Sequence, residues 1–215
     1  MPKTLLMIAT ALAATPALAQ SAPAPAPNFD VAAARARIDA VLDKQYPHLE
    51  ALYKDIHQHP EVGFQEVRTA GILAAEMRKL GFTVTEKVGK TGIVAILKNG
   101  EGPTILVRTE MDALPMEEKT GLPYASRAQA TVNGKTFFVD HSCGHDSHMA
   151  WWVGTATALV AMKDQWHGTL MFIGQPSEER VGVAKAMVDD GLFKRWPKPD
   201  YGFDAHVGPM PIGTV

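Results

Sequence analysis

Short apolar runs alternate with longer helix-period segments along most of this chain, and that alternation constrains the fold more than any other feature. Thr104–Arg108 is nearly all apolar, as in a strand covered on both faces, and Thr169–Gln175 is a second run of this kind. Amphipathic segments of helical length lie before and between these runs. Strands that alternate with helices of this length predict an α/β domain with a mainly parallel sheet and flanking helices.

The element boundaries follow from local signals. An Asn28 or Asp30 cap opens the first expected helix, Pro60 ends the second, and Gly81 follows the third as its C′ residue. We expect helices at residues 28–46, 48–59, 69–80, 146–163 and 181–192, and strands at 82–88, 92–97, 104–109, 169–175 and 201–207.

The first 19 residues have the layout of a secretory signal peptide. Lys3 gives a positive start, Thr4–Ala14 is mostly apolar, and Ala17–Ala19 offers a small-x-small cleavage site. Pro16 closes the apolar run, which is shorter than the roughly 20 residues of a membrane span. We therefore expect an exported protein, periplasmic or extracellular, with no membrane anchor.

Residues 20–27 are rich in Pro and Ala and are expected to form an extended linker, so that residues 28–208 form the folded part.

Charge limits the remaining function classes. The formal net charge is −2, and the chain lacks the excess of basic residues that would indicate a nucleic-acid partner. The chain also lacks a long like-charge tract that would bind a membrane surface.

Polar side chains follow three of the expected strands at their carboxyl ends. Open α/β sheets place their ligand sites at this edge, so these side chains are expected to converge. They are Glu110 and Asp112 after the strand at 104–109, Glu178 and Glu179 after the strand at 169–175, and His206 near the end of the strand at 201–207.

A fourth polar cluster surrounds Cys143, the chain's single cysteine. Together with His145 it offers a thiolate and an imidazole, which suit zinc and related transition metals, and Gly144 allows the backbone to bend between them. One alternative is a polar loop in which Asp146 caps the next helix. Another is a Cys143 nucleophile, but a base two residues away rarely has the required geometry. The converging carboxylates and His206 favour a metal site.

The adjacent Glu178 and Glu179 also allow two interpretations. Successive residues point in different directions, so one carboxylate can bind a metal while the other takes a proton from water and returns it to a leaving amine. A solvated acidic pair at the start of a helix would produce the same dipeptide.

The order of these clusters resembles the amidohydrolase branch of the co-catalytic zinc peptidase family, which includes hippurate hydrolases, N-acyl-amino-acid hydrolases and auxin-conjugate hydrolases. The resemblance extends from about Asp55 to Val215. The motifs that carry it are His57-x-x-Pro60-Glu61-x-x-Phe64-x-Glu66, Met111-Asp112-Ala113-Leu114-Pro115, Cys143-Gly144-His145-Asp146, Gln175-Pro176-x-Glu178-Glu179 and His206-Val207.

The resemblance implies a zinc exopeptidase-like catalytic domain that holds two divalent ions, Zn²⁺ or Mn²⁺, and hydrolyses the amide bond of small N-acyl amino acids. Glu178 would be the general base and Asp112 an acid that supports the metal centre. The implied ligands are Cys143, His145, Glu179 and His206. Histidines outside this ligand set, interpreted as structural or supporting, are His57, His59, His141 and His148.

The sequence departs from the family in two ways. Glu110 stands where this branch usually has Asp, which is expected to alter the surroundings of the site more than its chemistry. Family members are also considerably longer, with a lid and dimerisation domain inserted after the strand that His206 ends. Residues 209–215 resemble the start of that crossing, and the last ligand, a histidine near the family's C-terminus, has no counterpart. The complete form is expected to be a homodimer through the lid.

Three alternatives remain open at this point. Within the family, a carboxypeptidase or dipeptidase would use the same site. The chain by itself is expected to be inactive, as a fragment that binds metal weakly or not at all. A substrate-binding or transport module is the least favoured, because such a role needs no paired glutamates beside a Cys/His cluster.

Overall fold

The computed structural model describes residues 29–180 and 183–211. The expected signal peptide, the linker and the end of the expected crossing lie outside the described residues. The elements in chain order are α1 (Val31–Gln58), α2 (Val67–Lys79), β1 (Thr83–Val88), β2 (Gly92–Asn99), β3 (Thr104–Glu110), β4 (Gln129–Val132), β5 (Lys135–Phe138), α3 (His145–Ala161), β6 (Gly168–Gln175), α4 (Lys185–Asp189), α5 (Leu192–Arg195) and β7 (Tyr201–Phe203).

The central sheet has the strand order β1-β2-β6-β3-β7. Strand β3 runs parallel to both β6 and β7, whereas β2 is antiparallel to β6 and to β1. Four of the five strands therefore point the same way, and β2 alone is reversed. This arrangement confirms the predicted α/β fold with a mainly parallel sheet. It also places the carboxyl ends of β3, β6 and β7 at one edge.

Each face of the sheet buries its own apolar cluster because successive strand residues point to opposite sides. On one face, Ile93 and Phe172 pack with apolar residues of α1, α2 and α3. On the other face, Val94 and Met171 pack with the short helices α4 and α5. Among the helices of the described ranges, none has the length and apolar character needed to span a membrane.

Helix α1 is continuous, so the predicted division into helices at 28–46 and 48–59 was wrong. It begins at the predicted cap, where the Asp30 side chain accepts a hydrogen bond of 3.0 Å from the amide of Ala33. Pro47 lies inside the helix and lacks one backbone donor. Leu42 and Leu49, on either side of it, both lie against Gly154 of α3. This packing explains why the helix continues through the proline.

Two predicted elements are shorter than expected. In place of a helix over residues 181–192, α4 and α5 are separated by Asp190 and Gly191, and Gly191 has a left-handed conformation (φ +90°). Residues 181–182 are not described. Strand β7 ends at Phe203, not at residue 207. Beyond it, side chains hold the backbone: Arg108 binds Asp204, and the amide of Val207 donates to His148.

The β4–β5 hairpin was not predicted. Its strands pair in antiparallel register on either side of Asn133 and Gly134, which both have positive φ angles (51° and 76°). An Asn-Gly pair between short strands is a strong hairpin signal, so the sequence did contain the information. Phe137 and Phe138 are partly exposed on this hairpin.

Candidate metal centre

The carboxyl ends of β3, β6 and β7 bring the candidate site residues together, as the strand-end pattern predicted. Cys143, His145 and His206 form a group whose potential ligand atoms all lie within 4.8 Å of one another. His145, Glu178 and Glu179 form a second such group within the same limit. His145 belongs to both groups and is completely buried.

The two histidines present the same ring nitrogen to the site. His145 Nδ1 donates to the carbonyl oxygen of Asp112 at 2.8 Å, and His206 Nδ1 donates to the carbonyl oxygen of Val207 at 2.7 Å. Because Nδ1 carries the proton in each ring, Nε2 keeps its lone pair for a ligand. His206 Nε2 lies 3.5 Å from Cys143 Sγ. His145 Nε2 is buried without a hydrogen-bond partner among the residues that the structure describes.

These donors fit a divalent transition metal. Buried polar atoms normally have a partner, and the orphaned His145 Nε2 is joined by Glu179 Oε1, likewise unpartnered within the described part of the chain. A thiol, two imidazoles and carboxylates are the donor types that zinc and related ions bind. Burial, the hydrogen bond with Glu179 and nearby carboxylates raise the pKa of the Cys143 thiol to about 12, so it is protonated unless a cation is bound.

Gly144 determines how the Cys143 loop meets the segment that carries His206. Its φ is +86°, and a Cβ at this position would lie 2.4 Å from a methyl carbon of Val207. Any other residue would therefore be strained and would push the two segments apart. The loop leads directly into α3, which begins at His145.

The turn that carries the glutamate pair is held by two buried carboxylates. Asp112 accepts the amide of Glu178 at 2.8 Å and that of Glu179 at 3.1 Å, while Glu66 accepts the amide of Ser177 at 2.7 Å. Ser177 has a φ of +55°, a strained value for a residue with a side chain. The turn is therefore fixed at three successive amides, which sends the two glutamate side chains into different surroundings.

The remaining histidines differ in their surroundings. His57 lies between two buried carboxylates, Asp146 at 2.6 Å and Glu118 at 3.2 Å, which raise its pKa. Asp146 also accepts the amide of Ser147, but the residue that caps α3 is Gly144.

The ring nitrogens of His141 are buried and unpartnered within the described ranges, whereas His59 is an exposed residue that binds the carbonyl of Asp55. His148 contacts Glu110 and Val207.

Two buried glutamates were given no role by the sequence. Glu66 was visible only as the end of the N-terminal motif, and its contact with Ser177 spans 111 positions. Glu118 lies outside every motif and is identified by its contact with His57. The sequence around Glu118 contains no pattern that could have indicated its role.

The fold and donor set define an α/β domain with a prearranged site for divalent transition metals at the carboxyl edge of its sheet. Residues 106–215 match Peptidase family M20/M25/M40, and the chain belongs to this family. The family resemblance found in the sequence motifs is therefore confirmed.

Individual relatives are similar over most of the chain. A hippurate hydrolase of Campylobacter jejuni is 39% identical over 182 residues, which are 82% of this chain and 43% of the relative. An N-acetyldiaminopimelate deacetylase of Oceanobacillus iheyensis is 37% identical over 171 residues, or 78% of this chain and 43% of the relative. The chain thus spans less than half the length of these relatives.

A solved structure from Bacillus subtilis, described as a dinuclear metal-binding peptidase of the M20 family, matches with a TM-score of 0.68 and 32% identity. The match covers 78% of this chain and 44% of that one.

Proposed function

We propose that the enzyme containing this chain is a two-metal amidohydrolase that cleaves the amide bond of small N-acyl amino acids. The observation that carries the proposal is the position of His145, which belongs to two adjoining groups of ligand atoms and whose Nε2 has no hydrogen-bond partner within the described part of the chain. The names of the hippurate hydrolase and the N-acetyldiaminopimelate deacetylase support the substrate class, and the dinuclear B. subtilis structure supports the metal count.

In this proposal, Cys143, His145, Glu179 and His206 hold Zn²⁺ or Mn²⁺. When bound, such ions polarise the scissile carbonyl and acidify the attacking water. The residues around them keep the ligands in the required tautomer and direction, chiefly through the Asp112 carbonyl at His145 and the Asp112 carboxylate at the glutamate turn.

The proposal assigns the proton transfer to Glu178. Its side chain is 39% exposed, whereas His145 beside it is completely buried, and Glu178 Oε2 lies 3.8 Å from His145 Nε2. We assign it to take a proton from water as the new carbon–oxygen bond forms. The same proton then passes to the amide nitrogen as the carbon–nitrogen bond breaks, which releases a carboxylic acid and an amine.

A comparison of substrates tests this assignment. The enzyme is depleted of metal, reconstituted with Zn²⁺ or Mn²⁺, and assayed with benzoylglycine, an N-acetyl amino acid and a dipeptide with a free amino group. We expect hydrolysis of the N-acyl amino acids only after reconstitution. A clear preference for the dipeptide would favour the carboxypeptidase or dipeptidase alternative. Full activity without metal would contradict the proposal.

We also propose that the protein is exported and that its complete form is a homodimer through a lid domain. The support for export is the sequence of residues 1–19, and N-terminal sequencing of protein from the cell envelope fraction should find Gln20 first. Retention of Met1 would contradict export. Light scattering of the complete enzyme tests the dimer, and a monomeric mass would contradict it.

A further inference from the structure

Three residues at the end of β3 and the start of α3 form a connected polar group beside the metal site. Glu110 Oε2 lies 3.0 Å from His148 Nδ1, and Glu110 Oε1 lies 2.7 Å from an Arg108 guanidinium nitrogen. Glu110 and His148 are buried, with side chains only 2% exposed. We call Arg108, Glu110 and His148 the Glu110 clamp.

The other ends of the clamp reach the backbone on both sides of His206. Arg108 binds the carboxylate of Asp204, two residues before His206. His148 Nε2 accepts the amide of Val207, one residue after it, at 3.0 Å. A single buried carboxylate therefore bridges the two groups that hold this segment.

The hydrogen-bond directions fix the tautomer of His148. The backbone amide of Val207 can only donate, so His148 Nε2 must accept from it and is unprotonated. The ring proton therefore lies on Nδ1, which donates to the Glu110 carboxylate. Both ring nitrogens are occupied, so His148 is not free to bind a metal even though its ligand atoms lie within 4.8 Å of those of Glu110 and His145.

His206 needs such support because its backbone lies beyond the end of the sheet. Strand β7 ends at Phe203, and His206 and its neighbours are exposed. Within the described ranges, His206 Nδ1 hydrogen-bonds to the carbonyl of the next residue, Val207, and its ring lies against the rings of His145 and His148. Among the described residues, the side chains that hydrogen-bond to Asp204 and Val207 are those of the clamp.

We propose that Glu110 and His148 are positioning residues, which place His206 Nε2 against Cys143 Sγ and so complete the metal site. The inference rests on the proposed function, because it takes His206 as a ligand. It also gives the Glu110 departure from the family's Asp a physical meaning: the longer side chain reaches both Arg108 and His148.

Cobalt binding by the metal-depleted complete enzyme tests the clamp. Co²⁺ affinity is measured from thiolate-to-metal charge transfer for the wild type, His148→Phe, His148→Gln, His206→Ala and the double variant His148→Phe/His206→Ala. Phe keeps the ring volume without hydrogen bonds, whereas the Gln amide can donate to Glu110 and accept from Val207. The exposed residue His59, changed to Phe, is the matched control.

We expect His148→Phe to weaken Co²⁺ binding by about 10- to 100-fold, the usual effect of losing a partner that orients a ligand. His148→Gln should restore most of the affinity, and His59→Phe should bind as the wild type does. The double variant should bind no more weakly than His206→Ala, because the clamp acts only through His206. If His148 only stabilised the fold, the losses of Co²⁺ affinity in His148→Phe and His206→Ala would add up in the double variant.

The outcomes separate two claims, that His206 is a metal ligand and that the Glu110 clamp positions it. If His206→Ala weakens binding but His148→Phe does not, the clamp is wrong and the ligand assignment stands. If the wild type shows no charge transfer, or His206→Ala changes nothing, the ligand assignment fails and the inference fails with it. Two-bond ¹H–¹⁵N spectra of the metal-free complete enzyme provide a second test that does not require the variants to fold. They should show the Nδ1-protonated tautomer of His148, and an Nε2-protonated ring would overturn the clamp.

Discussion

At the scale of single residues, Glu178 and Glu179 leave the same turn in different surroundings. Glu178 is partly exposed beside His145, whereas Glu179 Oε1 is buried and unpartnered within the described ranges. We predict that Glu178→Gln in the complete enzyme keeps its metal and loses at least ~10²-fold in kcat, because proton transfer is lost. Glu179→Gln should lower metal content instead. Metal analysis and steady-state kinetics on the same preparations separate the two effects, and the reverse pattern would show that the two roles are exchanged.

Ser177 is the residue before this pair, and its buried hydroxyl has no hydrogen-bond partner in the portion of the chain described. An unpaired buried hydroxyl destabilises a fold, so Ser177→Ala is expected to raise the free energy of unfolding by about 1 kcal/mol. Ser126 is a matched control, because it is also buried but donates to the carbonyl of Val139 at 2.7 Å. Ser126→Ala should therefore lose stability in urea unfolding. Equal losses in both variants would mean that the Ser177 hydroxyl has a partner.

At the scale of elements, Glu66 links the start of α2 to the turn after β6. Its carboxylate accepts the Ser177 amide at 2.7 Å and the Thr91 hydroxyl at 2.5 Å. Glu66→Ala would leave a buried amide unpaired, at a cost of about 1–3 kcal/mol, and would release the turn that carries Glu179. We predict weaker Zn²⁺ binding by calorimetry as well as lower stability. Glu66→Gln keeps an acceptor for Ser177 and should retain most of the affinity. Unchanged binding in Glu66→Ala would show that Asp112 alone holds the turn.

His57 joins the end of α1 to the start of α3 through Asp146 and to a neighbouring loop through Glu118. The hydrogen bond to Asp146 is the main cause of its raised pKa, with burial opposing and Glu118 adding to the rise. Because the folded-state pKa lies above the unfolded value of 6.5, the stability from His57 is fully present below about pH 6.5. That stability is lost as the pH rises through the folded-state pKa.

We therefore predict that His57→Phe destabilises the chain by about 3–5 kcal/mol at pH 6, because two buried carboxylates lose their cation. The difference from the wild type should shrink as the pH rises, which urea unfolding at several pH values measures. His59→Phe, at an exposed histidine, is the control. A difference that grows with pH would mean that His57 is neutral in the folded chain.

At the scale of the whole molecule, the sequence predicted the residues of the site better than it predicted the bounds of the helices and strands around the site. The rule that polar residues at parallel strand ends converge depends only on strand order and direction, and it brought Asp112, Glu179 and His206 to one edge. The continuity of α1 depends on contacts with Gly154, more than 100 positions away from Leu42 and Leu49. The early end of β7 likewise depends on Arg108 and His148. Such contacts between distant residues leave no periodic signal in a sequence.

The central claim is that Cys143, His145, Glu179 and His206 form one prearranged site for divalent metal. The X-ray absorption spectrum of the zinc-loaded complete enzyme tests it most directly, since the fine structure distinguishes sulfur from nitrogen and oxygen ligands. We predict a sulfur contribution at about 2.3 Å together with nitrogen and oxygen ligands at about 2.0–2.2 Å. Cys143→Ser should remove the sulfur contribution and leave the rest. A wild-type spectrum with nitrogen and oxygen ligands alone would contradict the claim.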